Sequence, residues 1–428
     1  MKFSKKLLLT QVVALAASSA AFADSSSTHK LSNYLKNHIK NGDSILQPML
    51  SDGVNGYGVN NELFLLRQKE EGALKDGVLY FNGRLNVAVD YNQASPGSES
   101  AVLNPGVDLA FTATKGWFTA FADLSNTKFN YDNEIYWSQS VIPGAGFGEQ
   151  DEKNGAKIYN NYGSDINLSQ GFLMLGDFSK MPVYMLVGKK YVDFGSFANQ
   201  SQKWQPLTNL FNQDRQTQVA AGFYTHGFHG AVTLFRAPWT TTVIAEGIGY
   251  TSNQMSTMAA TLSYGTSVNK FGLHGGISYT TNMNPAATEN IDLHAHWKGH
   301  PRSNRVSAGI MFAEVNFNPI TVSGSYASAM RAVSTAANEQ GKPSAWDIGA
   351  KFNFNLINRA NWLSVNYSNS HTRGLDTDGP ENFTLKQWLF GWSMAVTKNL
   401  DATFQYGHLS ATDKANTNVF ALQANMYF

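Results

Sequence analysis

Three histidines, His294, His296 and His300, are the first residues in this chain whose spacing suggests chemistry, because imidazoles two apart on an extended strand share a face. A metal site needs three or four placed ligands with support behind them, so the spacing alone reads as a polar outer loop. Cysteine is absent, which removes disulfides, thiolate nucleophiles and zinc-finger spacings together. There is no G-x-S-x-G elbow, and scattered serines and histidines do not make a triad. The stretch "VGKKYVDFGS" lacks the complete glycine spacing of a phosphate loop. No enzyme, no cofactor and no metal site is expected.

A second set of residues suggests a different chemistry, that of a wet channel wall. Arg84, Asp90, Asp108, Lys189, His274, Asp347, Lys351 and Asp401 fall in strand-like stretches and are the pore-lining candidates. Mixed charges facing one lumen would set up a transverse field that sorts solutes by charge. The alternative is that they solvate a wet interior or pair across strands. Lys189 and Lys190 are adjacent, so one of them faces inward, and the sequence does not say which.

Such side chains need strands to aim them. In "LYFNGRLNVAVDY", Leu79, Phe81, Leu85, Val87, Val89 and Tyr91 alternate with Tyr80, Asn82, Arg84, Asn86 and Asp90. The same period of two recurs in "TMAATLSY", "FGLHGGISY", "WDIGAKFNF", "WLFGWSMAV" and "LDATFQY". It runs to the last residue, where Phe420, Leu422, Ala424 and Met426 oppose Gln423, Asn425 and Tyr427. Aromatic content of 13% and 37 glycines accompany an ordinary 43% hydrophobic content, which disperses the apolar residues at alternate positions. A soluble sheet with one wet face would read the same way strand by strand, so the repetition carries the argument.

The connections alternate as well. Short turns at Lys115-Gly116, His226-Gly227, Asn316–Pro319 and Thr397–Asn399 are separated by long polar loops at about 125–163, 192–215, 237–256, 329–344 and 370–384. Short turns at one end and long loops at the other are the mark of an outer-membrane barrel. Simple counting gives about seventeen strands, whereas a barrel with both termini in the periplasm needs an even number. Treating 281–305 as one outer loop, so that Ile291–Lys298 does not cross, predicts a transmembrane antiparallel β-barrel of about sixteen strands.

Ahead of the barrel, residues 1–23 read as a secretory signal peptide: Lys2, Lys5 and Lys6, a short apolar core, then Ala21-Phe22-Ala23. Residues 24–77 have a different character. "THKLSNYLKNHI" and "NELFLLRQKEEGAL" have helical spacing, the second through Leu63, Leu66, Glu70 and Leu74, and predict a periplasmic or lumen-inserted segment before a barrel at 78–428. It is too short for a globular plug domain.

The segment "PVYMLVGKKYVDFGSF", Pro182–Phe197, and the following "RQTQVAAGFYTHGFHGAVTLFR", Arg215–Arg236, resemble the LbtU-type siderophore porins of bacterial outer membranes. The likeness lies in a strand running into a Gly-Lys/Arg-x-Tyr-Val-x-Phe-Gly motif, Gly188 to Gly195, and in the tight hairpin at His226-Gly227. It covers about a hundred residues. Those relatives have Pro before Phe-Gly, whereas this chain has Asp193. The resemblance implies a sixteen-stranded barrel and a ferric siderophore as cargo; it carries over no ligand-binding residue.

With 32 Lys and Arg against 31 Asp and Glu, no field attracts nucleic acid. The expected partners are outer-membrane lipid and a small hydrophilic solute or ferric siderophore, with room for an oligomer. The expected function is a porin-like channel in the cell outer membrane. The alternative is an adhesin or structural barrel acting through its long loops, for which the aromatic-rich Lys128–Ser140 is suited.

Overall fold

Backbone groups inside a bilayer must be satisfied within the protein, so an extended chain can cross only as part of a closed sheet. The computed structural model describes residues 61–94, 98–125, 167–195, 206–209, 215–236, 241–243, 249–251, 255–268, 270–282, 306–331, 333–334, 340–373, 382–411 and 416–428. Among the described residues one helix, α1 (Asn61–Glu70), precedes sixteen barrel strands. They are β1 (Leu79–Ala94), β2 (Ser98–Lys115), β3 (Phe118–Ser125), β4 (Asn167–Asp177), β5 (Met181–Tyr191), β6 (Arg215–Thr225), β7 (Phe228–Arg236) and β8 (Met255–Val268). There follow β9 (Phe271–Thr280), β10 (Ala308–Phe317), β11 (Ile320–Ala329), β12 (Gln340–Leu356), β13 (Arg359–Arg373), β14 (Asn382–Thr397), β15 (Leu400–Ala411) and β16 (Thr417–Tyr427). Short strands at Thr241–Val243, Gly249–Thr251 and Val333–Ser334 decorate the connections.

Each barrel strand pairs antiparallel with the next, and β16 returns to β1 in a register from Arg84 opposite Tyr427 to Ala94 opposite Thr417. No edge is left open. Strand β9 pairs directly with β10, from Phe271 opposite Phe317 to Thr280 opposite Ala308, which leaves no place for another strand between them. Residues 291–298 and the three histidines lie outside the described residues, as do 1–60 and Lys128–Ser140.

All seven connections at the end that carries the chain terminus are two or three residues long. At the His226-Gly227 and Ile357-Asn358 turns both residues have positive φ, the form that matches strand twist in a two-residue hairpin. The opposite end holds the long connections, with two exceptions: 95–97 and 412–416 are short. The connection expected at 370–384 also shrinks, to 374–381, because β13 and β14 continue their pairing to Arg373 and Asn382.

Parity is as the alternation predicts. Leu85, Val87, Val89, Trp388, Phe390, Trp392, Leu422 and Met426 are exposed on the outside. Aromatic rings meet across strands in this outer band: Trp346 and Tyr367 at 5.3 Å, Tyr367 and Trp388 at 4.6 Å, Tyr406 and Phe420 at 5.0 Å. Aromatic rings in an apolar outer band are the dress of a barrel in an outer membrane.

The terminal Phe428 seals the seam. Its N–H donates to the Gly83 carbonyl at 3.0 Å, and the Gly83 N–H donates to the Phe428 carbonyl at 2.8 Å. Its ring lies over Gly83 so closely that a Cβ there would fall 2.1 Å from it. Gly83→Val must expel that ring from the β1 and β16 junction, and overpacking of this kind costs about 1–3 kcal/mol. The variant should lose its folded gel migration at a lower temperature than the parent, and an unchanged temperature would show that the ring contributes nothing to closure.

Candidate functional site

A water-filled barrel needs polar side chains on its inner wall, and part of this one is apolar. Ala110, Phe121, Phe172, Met174, Tyr184, Leu186, Ala220 and Tyr224, from β2 to β6, all turn inward and are buried. They are covered by α1. Leu63, Phe64, Leu65 and Leu66 of the helix pack into this cluster, with Leu74 beyond its end. Gly176 permits the approach, since a Cβ there would stand 3.1 Å from the Leu66 side chain and 2.9 Å from the Tyr184 Cβ. The helix lies against the inner wall and is buried on every side from Asn61 to Arg67, as a helix enclosed in a barrel must be. It stops where Gly72 takes φ +74°, a left-handed residue that ends a helix at little cost.

Polar groups tie both ends. At the C-terminal end, the Lys69 ammonium donates to the Gly116 and Gly176 carbonyls, the latter at 3.2 Å. The Arg67 guanidinium lies over the Tyr224 ring at 4.3 Å. At the N-terminal end, Asn61 donates to Gln170 at 3.3 Å. Glu62 meets the wholly buried Lys190 of β5 at 2.8 Å, and Lys190 also meets Asp193 at 2.8 Å. Tyr184 extends the cluster, its hydroxyl 3.4 Å from the Glu62 carboxyl and 3.1 Å from His229 Nε2. Loss of hydration inside the barrel, with Asp193 adding repulsion, pushes the Glu62 carboxyl up to about 7 against the opposing pull of Lys190.

The chain beyond β5 does not rise clear of the barrel. Val192, Asp193 and Phe194 are buried, the Thr261 hydroxyl of β8 donates to the Asp193 carbonyl at 2.6 Å, and the Gly195 N–H donates to Ser278 of β9 at 2.9 Å. The same connection reappears at 206–209 against the far wall. There the Thr208 hydroxyl donates to the Asp347 carboxylate of β12, Ser325 of β11 donates to the same oxygen, and the Leu207 N–H donates to Ser368 of β13 at 3.3 Å. Strands β5 and β13 are eight apart in a ring of sixteen, so they face one another across the lumen. The described parts of the β5–β6 connection therefore attach first to β8 and β9 and then to β11–β13, on the wall that faces β5.

The candidates from the sequence fall into three groups. Arg84 and Asp108 form a buried cross-strand pair, Arg84 Nε donating to Asp108 Oδ2 at 2.7 Å. Asp347 anchors the β5–β6 connection, His274 is buried beside the Phe312 ring at 5.4 Å, and Asp401 accepts from Asn425 at 2.8 Å. Asp90 and Lys351 share the inward parity, in register with the buried Ala421 and Thr321. Lys189 lies on the outer parity beside Thr217 and donates to the Leu168 carbonyl at 2.9 Å, so Lys190 is the inward lysine.

Glu62, Asp193, Thr208, Ser325 and Ser368 were not among the candidates. One signal for the first was present: Phe172–Leu175 and Tyr184–Val187 are apolar at successive positions, so both faces of β4 and β5 are dry. Asp193, the point of departure from the siderophore-porin motif, is the residue that completes the Lys190 pair.

No family model matches the chain. The UPF0422 protein of Coxiella burnetii is 21% identical over 259 residues, a match covering 58% of this chain and 51% of that relative. The chain thus spans about half the length of the curated relative it matches. Among solved structures it is similar to the outer membrane channel DcaP of Acinetobacter baumannii, with TM-score 0.52, 13% identity, and coverage of 83% of this chain and 99% of that one. OmpF of Salmonella typhi, in complex with daunomycin, gives TM-score 0.51 at 12% identity over 82% of this chain and 97% of its own. An anion-selective porin from Comamonas acidovorans gives 0.50 at 11% identity over 82% and 99%. This chain has the outer-membrane porin fold. At such identities the likeness is one of architecture, and the solute has to be argued from the lumen itself.

Proposed function

We propose that the protein is an outer-membrane channel for small hydrophilic solutes, narrowed by α1 on one side and by the parts of the β5–β6 connection that attach to the inner wall at 192–195 and 206–209. The observation that carries this reading is the attachment of Thr208 and Leu207 to Asp347 and Ser368, on the wall opposite the strand from which the connection departs. A segment held inside the barrel by hydrogen bonds to its wall narrows the passage and places polar groups in the solute's path. Residues 1–23 serve as the export signal, and the segment that contains α1 acts as a small internal plug.

The resemblance of Gly188–Gly195 to the siderophore porins supports a ferric siderophore as the cargo of this channel. Purified protein in planar bilayers should give discrete conductance steps, and micromolar ferric siderophore on one side should interrupt them. Absence of any step removes the channel reading. Steps that no ferric siderophore interrupts remove the cargo and leave the channel. Lys351→Glu, which reverses a charge on the inward parity, should move the reversal potential toward cations. An unmoved potential would take Lys351 out of the solute path.

A further inference from the structure

The outer wall is not filled evenly by its own side chains. On β12 to β16 the rings of Trp346, Tyr367, Trp388, Tyr406 and Phe420 close on one another toward the long-connection end of the apolar band. Toward the same end, β8 to β11 carry small residues instead. Ala260 stands opposite Tyr279, Tyr279 opposite Gly309, and Gly309 opposite Ser328, all on the outward parity. The result is an outward groove of about 700 Å³ whose lining includes Leu262, Ile277, Met311, Tyr326, Met330 and Lys342. Gly309 forms its floor, where a Cβ would stand 3.1 Å from the Met330 methyl carbon. Ile277, Met311 and Met330 are each more than half exposed.

Two cations stand at the head of this groove. Between the pairs Ser328 opposite Ser344 and Val333 opposite Gly341 lie Met330 and Arg331 on one arm of the hairpin and Lys342 on the other. Arg331 and Lys342 are exposed, and among the described residues neither joins an ion pair. They lie at the long-connection end, which in an outer-membrane barrel meets the outer leaflet. A second outward groove, of about 560 Å³ beside Phe352, Leu363, Trp392 and Phe404, is different: its one lysine, Lys351, has the inward parity.

We infer that the β8–β12 groove binds a phosphorylated, acylated glycolipid of the outer leaflet, with one acyl chain lying over Gly309 and a phosphate held by Arg331 and Lys342. An apolar groove alone selects nothing in a bilayer, because an acyl chain is as well solvated by other chains as by Met311 or Ile277. Selection comes from the head. A guanidinium and an ammonium at the polar boundary of the membrane shed part of their water, and a phosphate compensates them through charge-assisted hydrogen bonds, bidentate at the guanidinium. A chain seated along the wall delivers its phosphate at the height of the two cations. The inference concerns the outer surface and is independent of what passes through the bore.

Native mass spectrometry of the purified full chain tests this with diphosphoryl lipid A, phosphatidylglycerol and phosphatidylethanolamine offered in equal amounts. The one-to-one adduct with lipid A should be several-fold more abundant than that with either phospholipid. Arg331→Gln combined with Lys342→Gln should cut the lipid A adduct several-fold, and so should Gly309→Leu, which fills the floor and keeps both cations. Lys386→Gln removes another exposed cation, on β14 outside the groove, and should leave the adduct unchanged. A phospholipid bound as well as lipid A, parent-like binding in the double variant or in Gly309→Leu, or an equal loss in Lys386→Gln overturns the inference. Heat-dependent gel migration verifies that each variant is folded. The double variant and Gly309→Leu reach the site independently, so either decides if the other does not fold.

Discussion

Lys190→Ala should detach α1 from the barrel wall. The lysine is fully buried and its ammonium is shared by Glu62 and Asp193. Alanine leaves two carboxylates in a dry site with no cation between them, and removing one partner of a buried pair costs about 3–5 kcal/mol. The helix has only ten residues, too few to be stable once it leaves its packing surface. Because the chain has no cysteine, a single Leu65→Cys reports docking: Leu65 is wholly buried in the parent and should resist a water-soluble maleimide there. In the Lys190→Ala background that thiol should react, and single-channel conductance should rise as the helix leaves the cross-section. Continued protection with unchanged conductance would show that this ion pair does not hold the plug.

Glu62→Gln should be milder, because Lys190 keeps Asp193 and an amide oxygen can still accept its proton. The same carboxyl makes docking sensitive to pH. Docked, Glu62 holds its proton up to about 7, whereas the released helix gives it up near the ordinary value of 4.5. The docked state therefore binds more protons between these values, so docking weakens as pH rises from 4.5 to about 7 and levels off above. The charges explain the direction: a protonated Glu62 leaves Lys190 and Asp193 balanced, and an ionised one leaves two carboxylates on one ammonium. Tyr184 and His229 face the same cluster, so Glu62→Gln is the control that isolates the carboxyl. Measured relative to the unfolded protein, whose thiolate fraction sets the intrinsic rate, labelling of Leu65→Cys should quicken between pH 5 and pH 8 in the parent and lose that extra dependence in Glu62→Gln. An equal dependence in both would move the effect to another group.

The second large effect is expected at the far wall. Asp347→Ala removes the acceptor that both Thr208 and Ser325 use, and a hydrogen bond to a charged group is worth about 1.5–3 kcal/mol. Two weaker neutral hydrogen bonds then remain at that wall, from the Leu207 N–H to Ser368 and from the Ser325 hydroxyl to Thr208. The loosened segment should leave the wall more often, giving a larger and noisier conductance, while the barrel keeps its folded gel migration because its ladders do not pass through Asp347's side chain. Thr208→Val, which keeps the shape and deletes the hydroxyl, should move conductance the same way by a smaller amount. Parent-like conductance in both variants would mean that this segment does not define the passage.

The outer half of this molecule was legible residue by residue. In β14, Trp388, Phe390 and Trp392 could be placed on the outside before any fold was known, because lipid and water on opposite faces of a strand impose a period of two. Even the number of strands followed, since evenness and the short turns forced 281–305 into a connection. The inner half obeys no such local rule. Phe121, Phe172 and Met174 break the expectation of a polar lumen because α1, some fifty to a hundred residues away in sequence, lies against them. The choice between Lys189 and Lys190 depends on the register of β5 with β6, and the pairing of Thr208 with Asp347 joins positions 139 apart. Which solvent each face meets is written in the local sequence; what fills the bore is set by contacts between distant segments, and only the closed barrel brings those together.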